Sequence, residues 1–320
     1  MLRSMYSGIS GMKGFQTQLD TIGNNIANVN TYGYKKGRVT FQDMMSQTVS
    51  GAQGPTAAPG EDPGVGINTR GGLNPSQVGL GSQIGSIDTI HTQGNRQTTN
   101  RPLDIALEGD GMFVLAEGTE ENPIDTVAKT FNDGLEGQTL SFSRAGNFYL
   151  DNDGAIVNNN GQYLVGEAYE IDPDAEVNES LGEAGVITIP ADAQSFSIQN
   201  NGIVNYIDAQ GRSKAAGQVR LAQFSNMSGL QKIGSNTFQN TDNAGLSTFE
   251  NDGVFDTFED MTVPGQNGAA QMVSGALEMS NVDLAESFTE MITAQRGFQA
   301  NTRIITTSDE ILQELVNLKR

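Results

Sequence analysis

An α+β fold with helices at the two ends of the chain and an all-β middle is what this sequence predicts. Three observations predict it: an apolar stripe at helical spacing near the N-terminus, a seven-residue apolar rhythm near the C-terminus, and repeated hairpin grammar between them. At the N-terminus Leu2, Met5, Ile9, Met12, Phe15, Leu19, Ile22, Ile26 and Val29 recur at steps of three or four, which lines one face of a helix several turns long. Such a helix needs a partner. At the other end Leu284, Phe288, Met291, Phe298, Ile305, Leu312 and Val316 follow a heptad, with Gln295, Thr302 and Asp309 in the remaining places. Ile292, Ile304, Ile311, Leu315 and Leu318 widen that stripe beyond a two-helix seam, so more than one neighbour is expected.

The boundaries of the C-terminal helix are marked as well. Asn281 or Asp283 can cap its start, Glu286 and Glu290 suit the positive end of its dipole, and Lys319 and Arg320 suit the negative end. Amphipathic stripes usually mean an ordinary core. Against an ordinary helical hairpin stands the separation of the two stripes, because most of the chain lies between them.

The middle reads as β structure. "LDIALEGDGMFVLAEG" is an apolar run, a Gly-Asp-Gly turn and a second run, and "SFSRAGNFYLDNDGAIVNNNGQYLVG" repeats the pattern. Asp153-Gly154, Asn160-Gly161, Asn201-Gly202 and Gln210-Gly211 punctuate short strands at the spacing of a sandwich or open barrel. The domain organisation expected is a terminal helical unit from 1–32 and 280–320, an extended connector from 33–86, and a central β domain from 87–279. Acidic surface insertions are expected at about 117–138, 167–185 and 246–268, and the part of the connector from 50–85 is rich in Gly and Pro.

Composition removes several functions. A net charge of −20 and an isoelectric point near 4.2 would repel nucleic acid and anionic lipid. The absence of cysteine excludes disulfides, thiolate metal sites and cysteine nucleophiles. No run approaches the length of a membrane span, and the N-terminus has no apolar core of the Sec signal type. His91 is the single histidine, so any serine triad would depend on it alone; in the polar stretch "SIDTIHTQGN" it reads as a surface residue. "DNDGAIVNNNG" opens like a calcium loop but lacks the acidic twelfth position, and Asp153-Gly154 is better explained as a hairpin turn. No phosphate loop opens a helix and no spacing singles out a carboxylate pair. No catalytic residue, metal site or cofactor is expected.

One stretch resists a purely local reading. Asn24, Asn25, Asn28 and Asn30 crowd the end of the first helix, where asparagine gains nothing as a helix former. The block "SGISGMKGFQTQLDTIGNNIANVNTYGYKKGRVTFQDM" closely resembles the N-terminal signature of bacterial flagellar rod and hook proteins, a helix ending in NNIAN followed by NT-G-aromatic-K. The block "EMSNVDLAESFTEMITAQRGFQANTRIITTSDEILQELVNLKR" resembles the family's C-terminal signature, and "RPLDIALEGDGMF" and "FSRAGNFYLDNDGAIV" look like its central β segments. Within the family, "AQRGFQAN" and "LVNLKR" look more like the hook members, whereas the compact centre is rod-like and also suits short Gram-positive hook proteins. The hook is therefore the first expectation and the distal rod the second.

The resemblance implies terminal helices that pair as a coiled coil around a central export channel, in a hollow self-assembled tube that transmits torque from rod to filament as a flexible joint. It implies that Met5, Ile9, Met12, Leu19, Ile22, Ile26, Leu284, Phe288, Met291, Phe298, Ile305, Leu312 and Leu315 serve assembly, and that Asn24, Asn25, Asn28 and Asn30 hydrogen-bond at the helix end or to neighbours, with Asn30 or Gly33 in the left-handed cap. The implied partners are further copies of the chain, distal rod, hook cap and hook–filament junction proteins, and the type III flagellar export apparatus. The implied place is the extracellular hook. Met1, Met5, Met12, Met272, Met279 and Met291 are read as unbranched side chains in or near the helical ends that can repack as subunits slide. An adhesin or glycan-binding β domain and a cell-wall hydrolase are the readings from other classes, and neither explains both terminal blocks.

Overall fold

Apolar periodicity at the chain ends becomes two long helices in the computed structural model. It describes residues 2–57, 68–118, 138–170, 180–245 and 261–318, with Ile124, Phe131 and Asn178. Helix α1 spans Leu2–Ala27 and helix α2 spans Leu284–Leu318. Between them the described chain is built of short strands, so the α+β reading holds. The chain divides into two compact units, one formed by Met1–Ile26, Gly37–Asp88 and Leu284–Arg320, the other by Ala27–Lys36 and Thr89–Asp283.

In the first unit, glycine brings α1 and α2 close. A Cβ added to Gly8 would lie 3.3 Å from the Ile305 side chain, one on Gly11 would lie 2.7 Å from the Asn301 amide, and one on Gly297 would lie 2.6 Å from the Phe15 ring. Met12 Sδ stands 3.9 Å from the Thr302 hydroxyl. Phe15 also packs on Phe41 of the strand Gly37–Asp43, with ring centroids 5.8 Å apart. That strand pairs with Ser82–Thr89, and Ser46–Ser50 pairs antiparallel with Ser76–Gly79. The stretch expected as a connector is thus, where described, a set of two-stranded ribbons.

The second unit is organised by one sheet. Its hydrogen-bonded order is Ser195–Ile198, Ile203–Ile207, Ser213–Val219, Tyr163–Tyr169, Met112–Glu117, Thr139–Ser143, Thr237–Gln239 and Gln231–Gly234. The strand Met112–Glu117 shows why "MFVLA" is continuously apolar. Phe113 and Leu115 enter one hydrophobic cluster while Met112, Val114 and Ala116 enter the other, so both faces of this strand are covered. Phe113 meets Phe148 edge to face at 5.1 Å.

Four loops repeat a single turn. In each, the N–H of Gly154, Gly161, Gly202 or Gly211 donates to the carbonyl three residues earlier, and the glycine takes φ of +79°, +80°, +84° or +82°. Each glycine supplies the left-handed residue that closes a three-residue hairpin loop with a bulge. Asn158 and Asp208 reinforce two of these turns by accepting backbone N–H groups two and four residues on.

The sequence expectation needs two corrections here. Most of Ser180–Val186 falls within an expected acidic surface insertion, yet the segment is a strand paired with Tyr163–Tyr169 whose last three residues, Ala184, Gly185 and Val186, are buried. The insertions at about 117–138 and 246–268 lie largely outside the described residues, as do Lys319 and Arg320. Met272 is fully buried in the strand Gln271–Ser274 rather than serving a helical end.

Phe113→Ala empties the centre of the sheet's core and should destabilise the chain by about 3–5 kcal/mol. Urea unfolding of the full chain, read by the shift of its midpoint at constant slope, checks this.

Candidate functional site

The segment that leaves α1 is anchored in the second unit. Gly33 takes φ +67°, and a Cβ there would meet the backbone of Ala145 at 2.6 Å, so glycine is required both for the turn and for the approach. The Gly33 N–H donates to the Glu278 carbonyl at 2.9 Å. Tyr34 and Lys35 follow it into the interior, and Lys35 retains only 1% exposure.

Glu278 receives Lys35. Lys35 Nζ lies 2.7 Å from Glu278 Oε1 and 2.8 Å from the Thr92 carbonyl, while Arg144 Nε lies 2.7 Å from Glu278 Oε2. The Gly94 N–H donates to the same carboxylate at 2.9 Å, and the Arg144 guanidinium also donates to the Gly111 and Gly109 carbonyls. Burial alone would raise the Glu278 carboxyl, but Arg144 and Lys35 outweigh it and hold the group below its usual range. Burial is likewise the largest influence on Lys35, whose ammonium is lowered despite the attraction of Glu278. The cluster joins the segment after α1 to the strand Ala276–Glu278, which precedes α2 by a few residues.

Amides extend the joint. Asn281 accepts the Lys36 N–H at 2.7 Å and donates to the Ile90 carbonyl at 2.8 Å, so of the two expected caps of α2 it is Asp283 that directly precedes the helix. Lys232 donates to the Lys35 carbonyl at 3.1 Å and stands 4.3 Å over the Tyr34 ring. His91 corrects its sequence reading as a surface residue. Both ring nitrogens are buried without a hydrogen bond among the described residues, and the ring packs on Phe238 at 5.5 Å. Burial, with Lys35, Lys232 and Arg144 nearby, lowers its pKa to about 4.

The four asparagines part company. Asn25 is buried and forms a reciprocal pair with Gly37, its Nδ2 donating to the carbonyl at 2.8 Å and its Oδ1 accepting the N–H at 3.0 Å. Its amide is therefore used within the chain. Asn28 Oδ1 accepts from the Thr31 hydroxyl at 3.1 Å. Asn24 and Asn30 are exposed, and Gly33 rather than Asn30 takes the left-handed conformation.

The apolar residues of the helices differ in burial. Ile22 is buried; Met5, Met12, Leu19, Ile26, Met291, Phe298, Ile305 and Leu312 are half-buried; Ile9, Leu284, Phe288 and Leu315 are exposed. Ile292, Ile311 and Val316 add to the exposed face of α2. Sequence reasoning missed Gly33, Lys35, Arg144 and Glu278 as a group, and Gly8, Gly11 and Gly297 as points of close approach. The single charge of Glu278 in the short strand Ala276–Glu278, and the three-residue step from Gly8 to Gly11 to Gly14, were the available signals.

Comparison with known proteins interprets the joint. Over its whole length the chain is 48% identical to the flagellar basal-body rod protein FlgG of Bacillus subtilis, and it covers all of that protein. The chain belongs to the flagellar rod and hook protein family. Family descriptions match in three places: flagella basal body rod protein at residues 5–35, flagellar hook protein FlgE/F/G D1 domain at 131–206, and flagellar basal body rod FlgEFG protein C-terminal at 273–318. The flagellar hook protein FlgE of Borreliella burgdorferi is 32% identical with both chains fully covered, and FlgG of Caulobacter vibrioides is 31% identical over 99% of this chain and all of its own. As a member of the rod and hook family the chain is a structural component of the flagellum and not an enzyme. Each family match holds part of the ionic joint or leads into it: Lys35 lies in the first, Arg144 in the second and Glu278 in the third.

Two outcomes test the joint. Lys35→Met leaves a buried, half-compensated carboxylate and should cost about 3–5 kcal/mol, whereas Arg38→Met, at an exposed pair 3.6 Å from Asp88, should cost less than about 1 kcal/mol; chemical denaturation compares them. For His91 the folded pKa of about 4 lies below the ordinary 6.5, so the unfolded chain binds more protons between those values and stability falls as pH drops through that window. His91→Phe should flatten that part of a stability–pH profile and leave the loss at lower pH, where Glu278 protonates, in place.

Proposed function

We propose that this chain is an axial subunit that polymerises with further copies of itself into a hollow helical tube of the flagellum. The observation that supports this reading most directly is the apolar face of α2. Phe288, Ile292, Ile311, Leu315 and Val316 are exposed, whereas its buried side chains are Ser287, Ala294 and Ser308. A helix that exposes many large apolar residues and fully buries only small ones is completed by other copies. In the proposed tube the terminal helices from 1–32 and 280–320 pair as a coiled coil lining an export channel, and the ribbons of 33–86 connect them to the β domain of 87–279. The stripe residues of α1 and α2 form the packing between copies, with Asn30 exposed at the end of the helical segment towards neighbouring backbones.

Two positions on the axis fit. The distal rod is favoured by the rod-named relative at 48% identity and by rod-named relatives that match along the whole chain. The hook, where the tube is a flexible joint, is favoured by the C-terminal block and by a hook-named relative at 32%. Subunits of either position would travel through the type III flagellar export system and meet the neighbouring rod, hook cap or junction proteins. A chain without cysteine passes such a route with nothing to cross-link.

Gln210→Cys, at an exposed turn of an otherwise cysteine-free chain, accepts a maleimide-gold label. On isolated hook–basal bodies, gold along the straight shaft supports the rod and gold along the curved segment supports the hook. Gold on neither removes the axial reading.

A further inference from the structure

The second unit holds a cavity of about 340 Å³ where the segment after α1 meets three turns of the β domain. That volume suits a small ligand. Its wall is built by internal hydrogen bonds: Asn158 Nδ2 donates to Gln162 Oε1 at 2.9 Å, Asn236 Nδ2 to the Tyr32 carbonyl at 3.0 Å, and the Ser143 hydroxyl to the Asn236 carbonyl at 2.9 Å. Other groups lining it are left over from that framework. The amides of Asn147, Asn159 and Asn160 and the hydroxyls of Tyr32 and Ser235 form no side-chain hydrogen bond among the described residues.

No charged residue lines the cavity, although the chain carries 38 acidic and 18 basic residues. A phosphate, a carboxylate or a metal ion would therefore find no counter-charge. Each asparagine offers both a donor and an acceptor, and each hydroxyl can act as either, so the complementary ligand is neutral and dense in both. An acetamido group answers an asparagine amide with its own N–H and carbonyl, its methyl suits Ala145 in the lining, and ring hydroxyls suit the remaining groups. We propose that this cavity binds a neutral acetamido sugar.

Titration of the full chain with tri-N-acetylchitotriose, N-acetylglucosamine and maltotriose, followed by saturation-transfer NMR, tests the assignment. Saturable binding of the acetamido sugars is expected, weakened at least tenfold by the double change Asn147→Ala and Asn159→Ala, and unchanged by Asn152→Ala, an exposed turn residue outside the lining. Tighter binding of the trimer identifies a glycan chain as the source, and equal binding identifies a free sugar. Asn160→Ala, in an exposed turn, provides a second variant should the double one unfold. Absence of saturable binding, insensitivity to the lining variants, or equal binding of maltotriose overturns the assignment. Lining variants that impair self-assembly in a chain that binds no sugar likewise overturn it and give the cavity to a second copy.

Discussion

One buried carboxylate organises the centre of this protein. Glu278 is closed off from water together with Lys35 and Arg144, and each cation comes from a different part of the sequence. Taking three charges out of water is costly, and hydrophobic residues of similar volume often stabilise a fold as well or better. What the ions add is geometry. The carboxylate accepts from Lys35, Arg144 and Gly94, so a displacement of any one strand leaves a charge without its partner. Gly33 permits the approach, because any side chain there would strike the backbone of Ala145.

The terminal helices obey a different constraint. Their close contacts set glycine against a side chain of the other helix, Gly8 against Ile305 and Gly297 against Phe15, while Phe288, Ile292, Ile311, Leu315 and Val316 remain exposed. A chain of net charge −20 also repels its own copies, so association through these helices depends on short-range apolar contact rather than on long-range attraction. In the proposed tube, salt would favour assembly by screening that repulsion.

What could be read from the sequence follows the distance over which each feature is decided. The hairpin turns at Gly154, Gly161, Gly202 and Gly211 were legible because a left-handed glycine beside Asp, Asn or Gln is a local requirement. The helices were legible because apolar period is local too. His91 was misread, since its neighbours in sequence are polar while its neighbours in space are Phe238 and a group of cations. The partner of Asn25 was not legible, because Gly37 returns to it only after the turn that Gly33 allows. The ionic joint was not legible: nothing near Lys35 indicates a glutamate 243 positions away.

That separation also orders events in time. Closing a loop of such length costs entropy that few local contacts offset, so the pairing of Lys35 with Glu278 belongs late in folding, after the intervening strands have brought its ends together. In the proposed export route the polypeptide would travel as an unfolded chain, and the closing of a single buried charge cluster would mark the point at which it stops being thread and becomes a building block.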